Sequence, residues 1–319
     1  MIAFGPVPSR RLGASLGVNP MPRKVCTYSC VYCQVGRTLR LRVRRLAFRD
    51  PDQVVEAVSA KVVAARGAAE AIDYITIVPD GEPTLDLNLG GIIRGLGSLG
   101  FPIAVITNGS LLTLRDVRTA VAAADWVSLK VDAADEATWR RINRPHGRLR
   151  LANIQQGMRE FAAGFGGRLT TETMLVAGVN DGEAALRATA AFVAELSPGT
   201  AYLAVPMRPP AEAWVRWPSQ AALARACVVF RGEHRRVECL GREESDGFAL
   251  TGDVGADLLA IAAVHPLCER TARRMIQRRG ADWSVVVGLL ARGELLEVLY
   301  RGERYFRRAF PAPAGPAGG

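Results

Sequence analysis

The 319-residue chain is 49% hydrophobic and 23% charged, the balance of a globular protein with room for one large domain and one small one. No apolar run approaches the roughly 18 residues of a membrane span. The N-terminus also lacks a basic head before an apolar stretch, so we expect a cytoplasmic protein without a membrane segment or secretory signal. The net charge of +10 comes largely from residues 1–50, which carry ten basic residues and one acid.

The basic N-terminal segment contains a stretch, Thr38–Arg44, in which apolar residues alternate with arginines. Such alternation predicts a strand with one basic face. Two interpretations stay open: a phosphate-binding strip, or a solvated edge strand whose charges protect it from pairing. We expect RNA or another anionic substrate near Arg37–Arg49, although a GC-rich genome also produces an arginine-rich composition.

Between residues 51 and 240, helical segments alternate with short runs rich in β-branched residues. The predicted strands are Asp73–Val78, Pro102–Thr107, Trp126–Val131, Leu169–Val176, Thr200–Val205 and Arg236–Leu240. The predicted helices are Pro51–Arg66, Leu87–Leu99, Leu114–Ala124, Asp135–Asn143, Arg150–Ala163, Asp181–Leu196 and Ser219–Phe230. Repeated βα units predict an α/β fold with a parallel sheet, either partly closed into a barrel or doubly wound, and a site at the carboxyl ends of the strands.

The pattern changes after residue 241, where three short helices and a hairpin are predicted. They are Asp253–Val264, Glu269–Arg279, Asp282–Arg292, Leu295–Tyr300 and Arg304–Phe310. These elements predict a winged-helix-like domain at 246–310, after a core domain at 1–241 and before a Pro/Ala/Gly tail at 311–319 that we expect to be disordered. The third helix offers almost no groups that read base edges, so we do not expect sequence-specific DNA binding.

Three of the six cysteines lie within eight residues in a C-x3-C-x2-C spacing: Cys26, Cys30 and Cys33. Three thiolates on one loop can each bind one iron of a [4Fe–4S] cube, which leaves the fourth iron open to a small molecule. A structural zinc ion needs a fourth ligand, and no second C-x2-C pair is present. We interpret the scattered cysteines as buried thiols and expect no auxiliary cluster from them: Cys227, Cys239 and Cys268.

The cysteine spacing, with Tyr32 directly before the last cysteine, resembles the signature of the radical S-adenosylmethionine (SAM) superfamily. The resemblance covers about residues 1–240. The flanking stretches Phe4–Gly13 and Gln34–Thr38 resemble a subgroup related in its core to the wybutosine-synthesising, tRNA-modifying enzymes. This resemblance implies a partial (β/α)6 TIM-like barrel with two cofactors, SAM and a [4Fe–4S] cluster on the three clustered cysteines.

The same resemblance implies which residues contact SAM. Gly81 and Glu82 match the stretch that contacts the SAM amino group, although Asp80 stands where a glycine is usual. Alternation along a strand places Ser128 and Asp132 on one face, where related enzymes bind the ribose and carboxylate. The full set of expected cofactor contacts is Tyr32, Gly81, Glu82, Asn108, Ser128, Asp132 and Gly178.

The activity implied by the resemblance is reductive cleavage of SAM to a 5′-deoxyadenosyl radical, which abstracts hydrogen from an RNA, a peptide or a small metabolite. Such a reaction needs a reductant such as flavodoxin or ferredoxin. Two alternatives stay open: an iron–sulfur sensor that regulates through the winged helix without SAM turnover, and a zinc-stabilised RNA-binding protein. The Gly81-Glu82 pair favours the enzyme, because a sensor needs no SAM pocket.

Overall fold

A computed structural model describes residues 2–240 and 253–309 of the chain. The N-terminal elements are β1 (Ala3–Ser9), β2 (Gly13–Val18), β3 (Val25–Cys26), β4 (Arg40–Leu41) and α1 (Pro51–Gly67). The next elements are β5 (Tyr74–Ile77), a 3-10 turn (Pro83–Leu85), α2 (Leu89–Gly97), β6 (Ile103–Thr107), α3 (Arg115–Val121), β7 (Trp126–Lys130) and α4 (Glu136–Asn143). They are followed by α5 (Leu151–Gly164), β8 (Arg168–Met174), α6 (Glu183–Glu195), β9 (Thr200–Ala204), α7 (Gln220–Glu233) and β10 (Val237–Leu240).

Eight of these strands form one sheet in the order β1-β2-β5-β6-β7-β8-β9-β10. Every neighbouring pair from β2 to β10 is parallel, and β1 alone runs antiparallel to β2. Parallel strands joined through helices curl the sheet into a half-barrel, with the helices on its outer side. The expectation of a partial TIM-like barrel is therefore confirmed.

Alternate residues of β7 show how the sheet divides the core. Val127 and Leu129 pack in the main core with the surrounding helices. Trp126 faces the other way, into a separate buried cluster with Leu12 and Tyr202 on the inner side of the curl. The period of two along a strand assigns each residue to one of these two cores.

Two departures from the predicted elements concern the N-terminal fifty residues. The hairpin of β1 and β2 was not predicted, because Gly5 and Pro6 interrupt its apolar pattern. The predicted strand Thr38–Arg44 is wrong: only Arg40–Leu41 is extended, in a short ladder with β3. No long neighbouring strand is available there, and the segment instead folds back so that the Leu39 and Arg40 amides donate to the Lys24 carbonyl.

The C-terminal segment 253–309 has a core of its own. Its elements are α8 (Val254–Val264), β11 (Leu267–Cys268), α9 (Glu269–Arg278), α10 (Ser284–Ala291), β12 (Leu295–Tyr300) and β13 (Glu303–Arg308). The three predicted helices and the hairpin are present, and β13 lies between β11 and β12 in a small sheet. The winged-helix assignment stays a prediction, and the predicted domain boundary at 241–246 and the tail at 311–319 lie outside the described residues.

The C-terminal segment packs against the barrel beside β1. Phe4 of β1 shares a buried cluster with Ala260 and Val264 of α8. The Nε2 atom of Gln34 donates to the Val264 carbonyl at 2.9 Å, which ties this helix to the loop that carries the clustered cysteines. None of the helices in the described parts of the chain combines the length and apolar character needed to cross a bilayer.

Candidate metal and cofactor site

The clustered cysteines lie in the segment between β2 and β4, called here the cysteine loop, with Cys26 in the short strand β3 and Cys30 and Cys33 after it. This segment follows the carboxyl end of β2. A nitrogen donor faces each of the three sulfurs. The pairs are Tyr28 N with Cys26 at 3.5 Å, Asn108 Nδ2 with Cys26 at 3.8 Å, Asn143 Nδ2 with Cys30 at 3.3 Å, and Lys24 Nζ with Cys33 at 3.6 Å. Hydrogen bonds to cluster sulfurs are one of the means by which proteins set the reduction potential of iron–sulfur clusters.

The number of cysteine ligands suits a cube rather than a single zinc ion. The three free thiols of Cys26, Cys30 and Cys33 are one ligand short of the four that a structural zinc ion takes. A zinc ion draws its cysteine ligands to about 2.3 Å from one point, whereas each cysteine around a cube binds a different iron. The residues present therefore fit a [4Fe–4S] cluster with one iron left for another ligand.

Burial controls the protonation of two of the thiols, Cys26 and Cys30. It raises the pKa of Cys26, an effect to which the nearby Glu82 charge adds, and it raises the pKa of Cys30 to about 12. Both thiols are therefore protonated at neutral pH in the metal-free protein. Metal binding deprotonates a thiol outright, so cluster assembly at this site releases protons.

Gly81 lets the β5 loop approach the cysteine loop. A Cβ atom on this residue would lie 2.1 Å from the carbonyl oxygen of Val25, and backbone at that distance cannot move aside cheaply. The Glu82 amide donates to the same carbonyl at 3.1 Å. Glycine is therefore required here for close packing of the two loops.

Glu82 is a buried carboxylate that connects the ends of β5 and β6. Its Oε1 accepts hydrogen bonds from the amide and hydroxyl of Thr84 and from the Thr107 hydroxyl, and its Oε2 accepts from the Asn108 amide at 2.9 Å. Burial raises the pKa of Glu82, and these hydrogen bonds oppose that rise. Because a carboxylate oxygen has two lone pairs, Oε2 keeps one for a further donor such as an ammonium.

Asp132 follows β7 and is held by three donors. The Tyr32 hydroxyl donates to Oδ2, Asn143 Nδ2 donates to the same oxygen at 2.7 Å, and the Met174 amide donates to Oδ1 at 2.8 Å. Asn143 faces both this carboxylate and the Cys30 sulfur. Asp132 thus holds Tyr32 of the cysteine loop and Asn143 at the end of α4 in one hydrogen-bond network.

Two expected cofactor contacts lie apart from this group. Ser128 is fully buried in β7, four residues before Asp132 along the chain, and its Oγ has no hydrogen-bond partner in the described part of the chain. Gly178 has a positive φ of 67° and donates its amide to Asp181 at 2.8 Å. It lines an open cavity of about 670 Å³ beside the first turns of α4 and α6. Tyr32, Gly81, Glu82, Asn108 and Asp132 surround the cysteines, whereas Ser128 and Gly178 do not.

A line of charged groups runs along the inside of the barrel to this site. Lys130 Nζ lies 2.7 Å from Glu172 Oε1, 3.7 Å from Asp132 Oδ1 and 5.0 Å from the Tyr32 ring centroid. Arg11, from the turn between β1 and β2, pairs with the other oxygen of Glu172. Burial alone would raise the pKa of Glu172, but Arg11 and Lys130 outweigh it and lower that pKa to about 2. Glu172 is therefore ionised and links Arg11, in the turn between β1 and β2, to Lys130 beside the site.

The arginines expected to bind an anion are partly engaged within the protein. Arg37 pairs with Glu212 through two hydrogen bonds of 2.8 and 2.9 Å. Arg45 pairs with Asp116 and donates to the carbonyls of the β5 loop. Arg49 makes no side-chain hydrogen bond or ion pair with the described residues and lies beside a cavity.

The expectation that the scattered cysteines are buried thiols is wrong for two of them. Cys227 and Cys239 form a disulfide between α7 and the following strand β10, and Cys239 is exposed. The two cysteines are 12 positions apart in the sequence. They meet because α7 packs against β10, the strand that follows it. Cys268 is a half-buried free thiol 3.1 Å from the Thr271 hydroxyl.

Sequence reasoning missed Lys24, Asn143 and Arg11 as parts of this site. Lys24 is buried and donates to the Gly36 carbonyl as well as facing Cys33. The only sequence signal for Lys24 is the rarity of lysine, of which the chain has three. Asn143 ends α4 directly before Arg144-Pro145, where a helix is expected to stop, and its approach to Cys30 depends on how that helix packs.

Comparison with known proteins agrees with this geometry. Residues 22–188 match the family model of the radical SAM superfamily. A UPF0026 protein of Methanocaldococcus jannaschii is 39% identical over 310 residues, covering 96% of each chain. A radical SAM methyltransferase from Sphaerobacter thermophilus, 20% identical, shares the fold with a TM-score of 0.52 over 72% of this chain and 66% of its own. TYW1 with a lysine-pyruvate adduct bound is 20% identical, with a TM-score of 0.48 over 60% of this chain and 64% of its own. The family match over residues 22–188 shows that the chain belongs to the radical SAM superfamily, a family of enzymes with a [4Fe–4S] cluster and SAM as cofactors.

Proposed function

We propose that this enzyme cleaves SAM reductively at a [4Fe–4S] cluster bound by Cys26, Cys30 and Cys33, and then abstracts hydrogen from a substrate. When bound, the two cofactors supply one chemistry: an electron breaks the sulfonium carbon–sulfur bond to give methionine and a 5′-deoxyadenosyl radical, which becomes 5′-deoxyadenosine on taking a substrate hydrogen. The observation that carries the proposal is three sulfurs, each faced by a nitrogen donor, beside Glu82.

The residues of the chain hold and shield the cofactors. Glu82 and the backbone at Gly81 would hold the SAM ammonium, since Oε2 of Glu82 has capacity for one more donor. The hydrogen bond from the Tyr32 hydroxyl to Asp132 keeps the cysteine loop in place. Asn108 bridges the β6 end to the cysteine loop through the Thr27 hydroxyl, at 2.7 Å.

Ser128 and Gly178 enter the proposal through a different observation. The Ser128 hydroxyl has no partner among the described residues, and a buried hydroxyl without a hydrogen bond is costly. A ribose hydroxyl of bound SAM would satisfy it. Gly178 is proposed to lie along the adenine, on the rim of the cavity that it lines.

The competing function is an iron–sulfur sensor that does not turn over SAM. Glu82 argues against it, because this carboxylate is only 2% exposed and its Oε2 keeps capacity for one more donor. The SAM ammonium would use that capacity, whereas a sensor has no need of it. The substrate is proposed to be an RNA, a peptide or a small metabolite, and the electron donor a flavodoxin or ferredoxin. Cytoplasmic location belongs to the same proposal.

Anaerobic reconstitution tests this function. We expect about four irons per chain, as a cube requires, and 5′-deoxyadenosine when dithionite and SAM are added. The triple variant Cys26→Ala/Cys30→Ala/Cys33→Ala should retain no cluster and form no 5′-deoxyadenosine. Cys268→Ala is the matched control, because this free thiol lies in the C-terminal segment, and it should behave as the wild type. A cluster that forms but yields no 5′-deoxyadenosine would favour the sensor.

A further inference from the structure

Lys24 is a buried lysine beside the last of the clustered cysteines. The residue is 2% exposed, and its Nζ atom lies 3.6 Å from the Cys33 sulfur and donates a hydrogen bond to the Gly36 carbonyl. Burying a charge is costly unless an opposite charge and hydrogen bonds compensate for it. The groups around this ammonium must therefore supply that compensation.

The backbone around Lys24 holds its side chain in this position. Its φ of 55° lies in the left-handed region, which is costly for a residue that carries a side chain. Its amide donates to the Asp80 carbonyl at 3.2 Å, and its own carbonyl accepts the amides of Leu39 and Arg40 at 3.2 and 3.1 Å. Three segments of the chain thus meet at Lys24, and this junction keeps the ammonium against the cysteine loop.

The ammonium forms no ion pair with a carboxylate of the described residues. Its charge does reach Asp80, whose pKa is raised by burial and lowered by the hydrogen bond from Asn19 and by Lys24. The Asp80 carboxylate, however, is bonded to Asn19 Nδ2 at 3.2 Å. A lysine ammonium has three N–H donors, of which Gly36 and Cys33 take two. One donor is left, and the charge lies directly beside a cysteine sulfur.

A [4Fe–4S] cluster on the cysteine loop supplies the opposite charge. Three thiolates outweigh the positive charge of the iron–sulfide core, so the loaded site is anionic, and one-electron reduction adds a further negative charge. A fixed cation nearby is attracted more strongly to the reduced form than to the oxidised form. Salt screens this attraction only weakly, because the ammonium is buried. The charge of Lys24 therefore favours reduction of the cluster.

We propose that the buried ammonium of Lys24 raises the reduction potential of the cluster, so that the cluster accepts an electron more readily from its reductant. The inference rests on the proposed function for the presence of a cluster on the three clustered cysteines. One electron passes from the reductant to the cluster, and Lys24 itself is neither oxidised nor reduced. Because the effect comes from charge, a neutral hydrogen-bond donor at position 24 should lose it, whereas arginine should keep it.

Redox titration of the anaerobically reconstituted holoenzyme without SAM, followed by electron paramagnetic resonance of the reduced cluster, tests the proposal. In Lys24→Gln we expect the equilibrium constant for one-electron reduction to fall at least about tenfold, which corresponds to a midpoint potential more negative by about 59 mV. Lys24→Arg should stay closer to the wild type than to Lys24→Gln. Arg115→Gln is the matched control, because it removes the same charge from an exposed position at the start of α3, and it should leave the potential unchanged.

The outcomes separate this inference from the proposed function. A wild-type potential in Lys24→Gln, or a potential in Lys24→Arg as negative as in Lys24→Gln, overturns the role of the charge even when the wild type forms 5′-deoxyadenosine. Loss of iron from Lys24→Gln, measured on the same samples, also overturns it, because Lys24 would then build the loop rather than tune the cluster. If the expected shift occurs but the wild type forms no 5′-deoxyadenosine, Lys24 tunes the cluster and the proposed SAM cleavage fails. The shift together with SAM cleavage supports both.

Discussion

Asn143 donates through one amide nitrogen toward both the Cys30 sulfur, at 3.3 Å, and the Asp132 carboxylate, at 2.7 Å. The last residue of α4 therefore connects a cysteine of the proposed cluster to the acidic group after β7. Because both groups share this donor, the position of the cysteine loop at Cys30 is coupled to the charge of Asp132.

Removing this donor should slow SAM cleavage. In Asn143→Ala the Cys30 sulfur loses a hydrogen bond that stabilises its negative charge, so the cluster becomes harder to reduce. Loss of one charge-assisted hydrogen bond predicts a decrease of roughly tenfold or more in the rate of 5′-deoxyadenosine formation with dithionite. The control is Asn153→Ala, on the exposed side of α5. Equal rates for the two variants, or an unchanged reduction potential in Asn143→Ala, would contradict this role.

Glu172 should stabilise the fold in a pH-dependent way. In Glu172→Gln, Arg11 and Lys130 lose their buried partner, which predicts a free energy of unfolding lower by about 3–5 kcal/mol at pH 7. The folded-state pKa of about 2 lies below the unfolded value of roughly 4.3, so this stabilisation is complete above that value and declines as the pH falls toward 2. Denaturant unfolding of both proteins between pH 7 and pH 3 measures it. A difference that does not shrink on acidification would show that the ion pairs are not its source.

Gly81→Ala should disrupt the contact between the β5 loop and the cysteine loop. The added methyl would lie 2.1 Å from the Val25 carbonyl, and overpacking of this kind costs about 1–3 kcal/mol. We expect lower stability and reduced iron content after reconstitution. Gly67→Ala is the control, because a Cβ there meets nothing within 4 Å and alanine favours the helix. Full iron content in Gly81→Ala would falsify the close-approach argument.

The disulfide should be dispensable for the cluster. Cys227 and Cys239 join α7 to β10 at the far end of the sheet from β2. The variant Cys227→Ser/Cys239→Ser should therefore keep about four irons per chain and an unchanged cluster spectrum. Thiol titration of the unfolded, metal-free wild type checks the pairing, since reductant should expose two further thiols. Loss of iron in the double variant would mean that these cysteines serve the cluster after all.

The sequence by itself determined the repeating βα architecture from Pro51 to Leu240 and the C-x3-C-x2-C loop. Both depend on local patterns: β-branched runs between amphipathic helices for the first, and the spacing of thiols on one loop for the second. The side chains expected at neighbouring strand ends, Glu82, Asn108 and Asp132, also meet there, because parallel strands bring their carboxyl ends to one edge.

Only the tertiary structure decided which distant residues complete the site. Arg11 reaches Glu172 across 161 positions, Asn143 reaches Cys30 across 113, and Gln34 reaches Val264 across 230. No local pattern encodes such approaches, since they follow from how the sheet curls and where the C-terminal segment packs. For the same reason the Thr38–Arg44 alternation predicted a strand that does not form: a strand needs a neighbour for its backbone hydrogen bonds, and the fold provides none along that length.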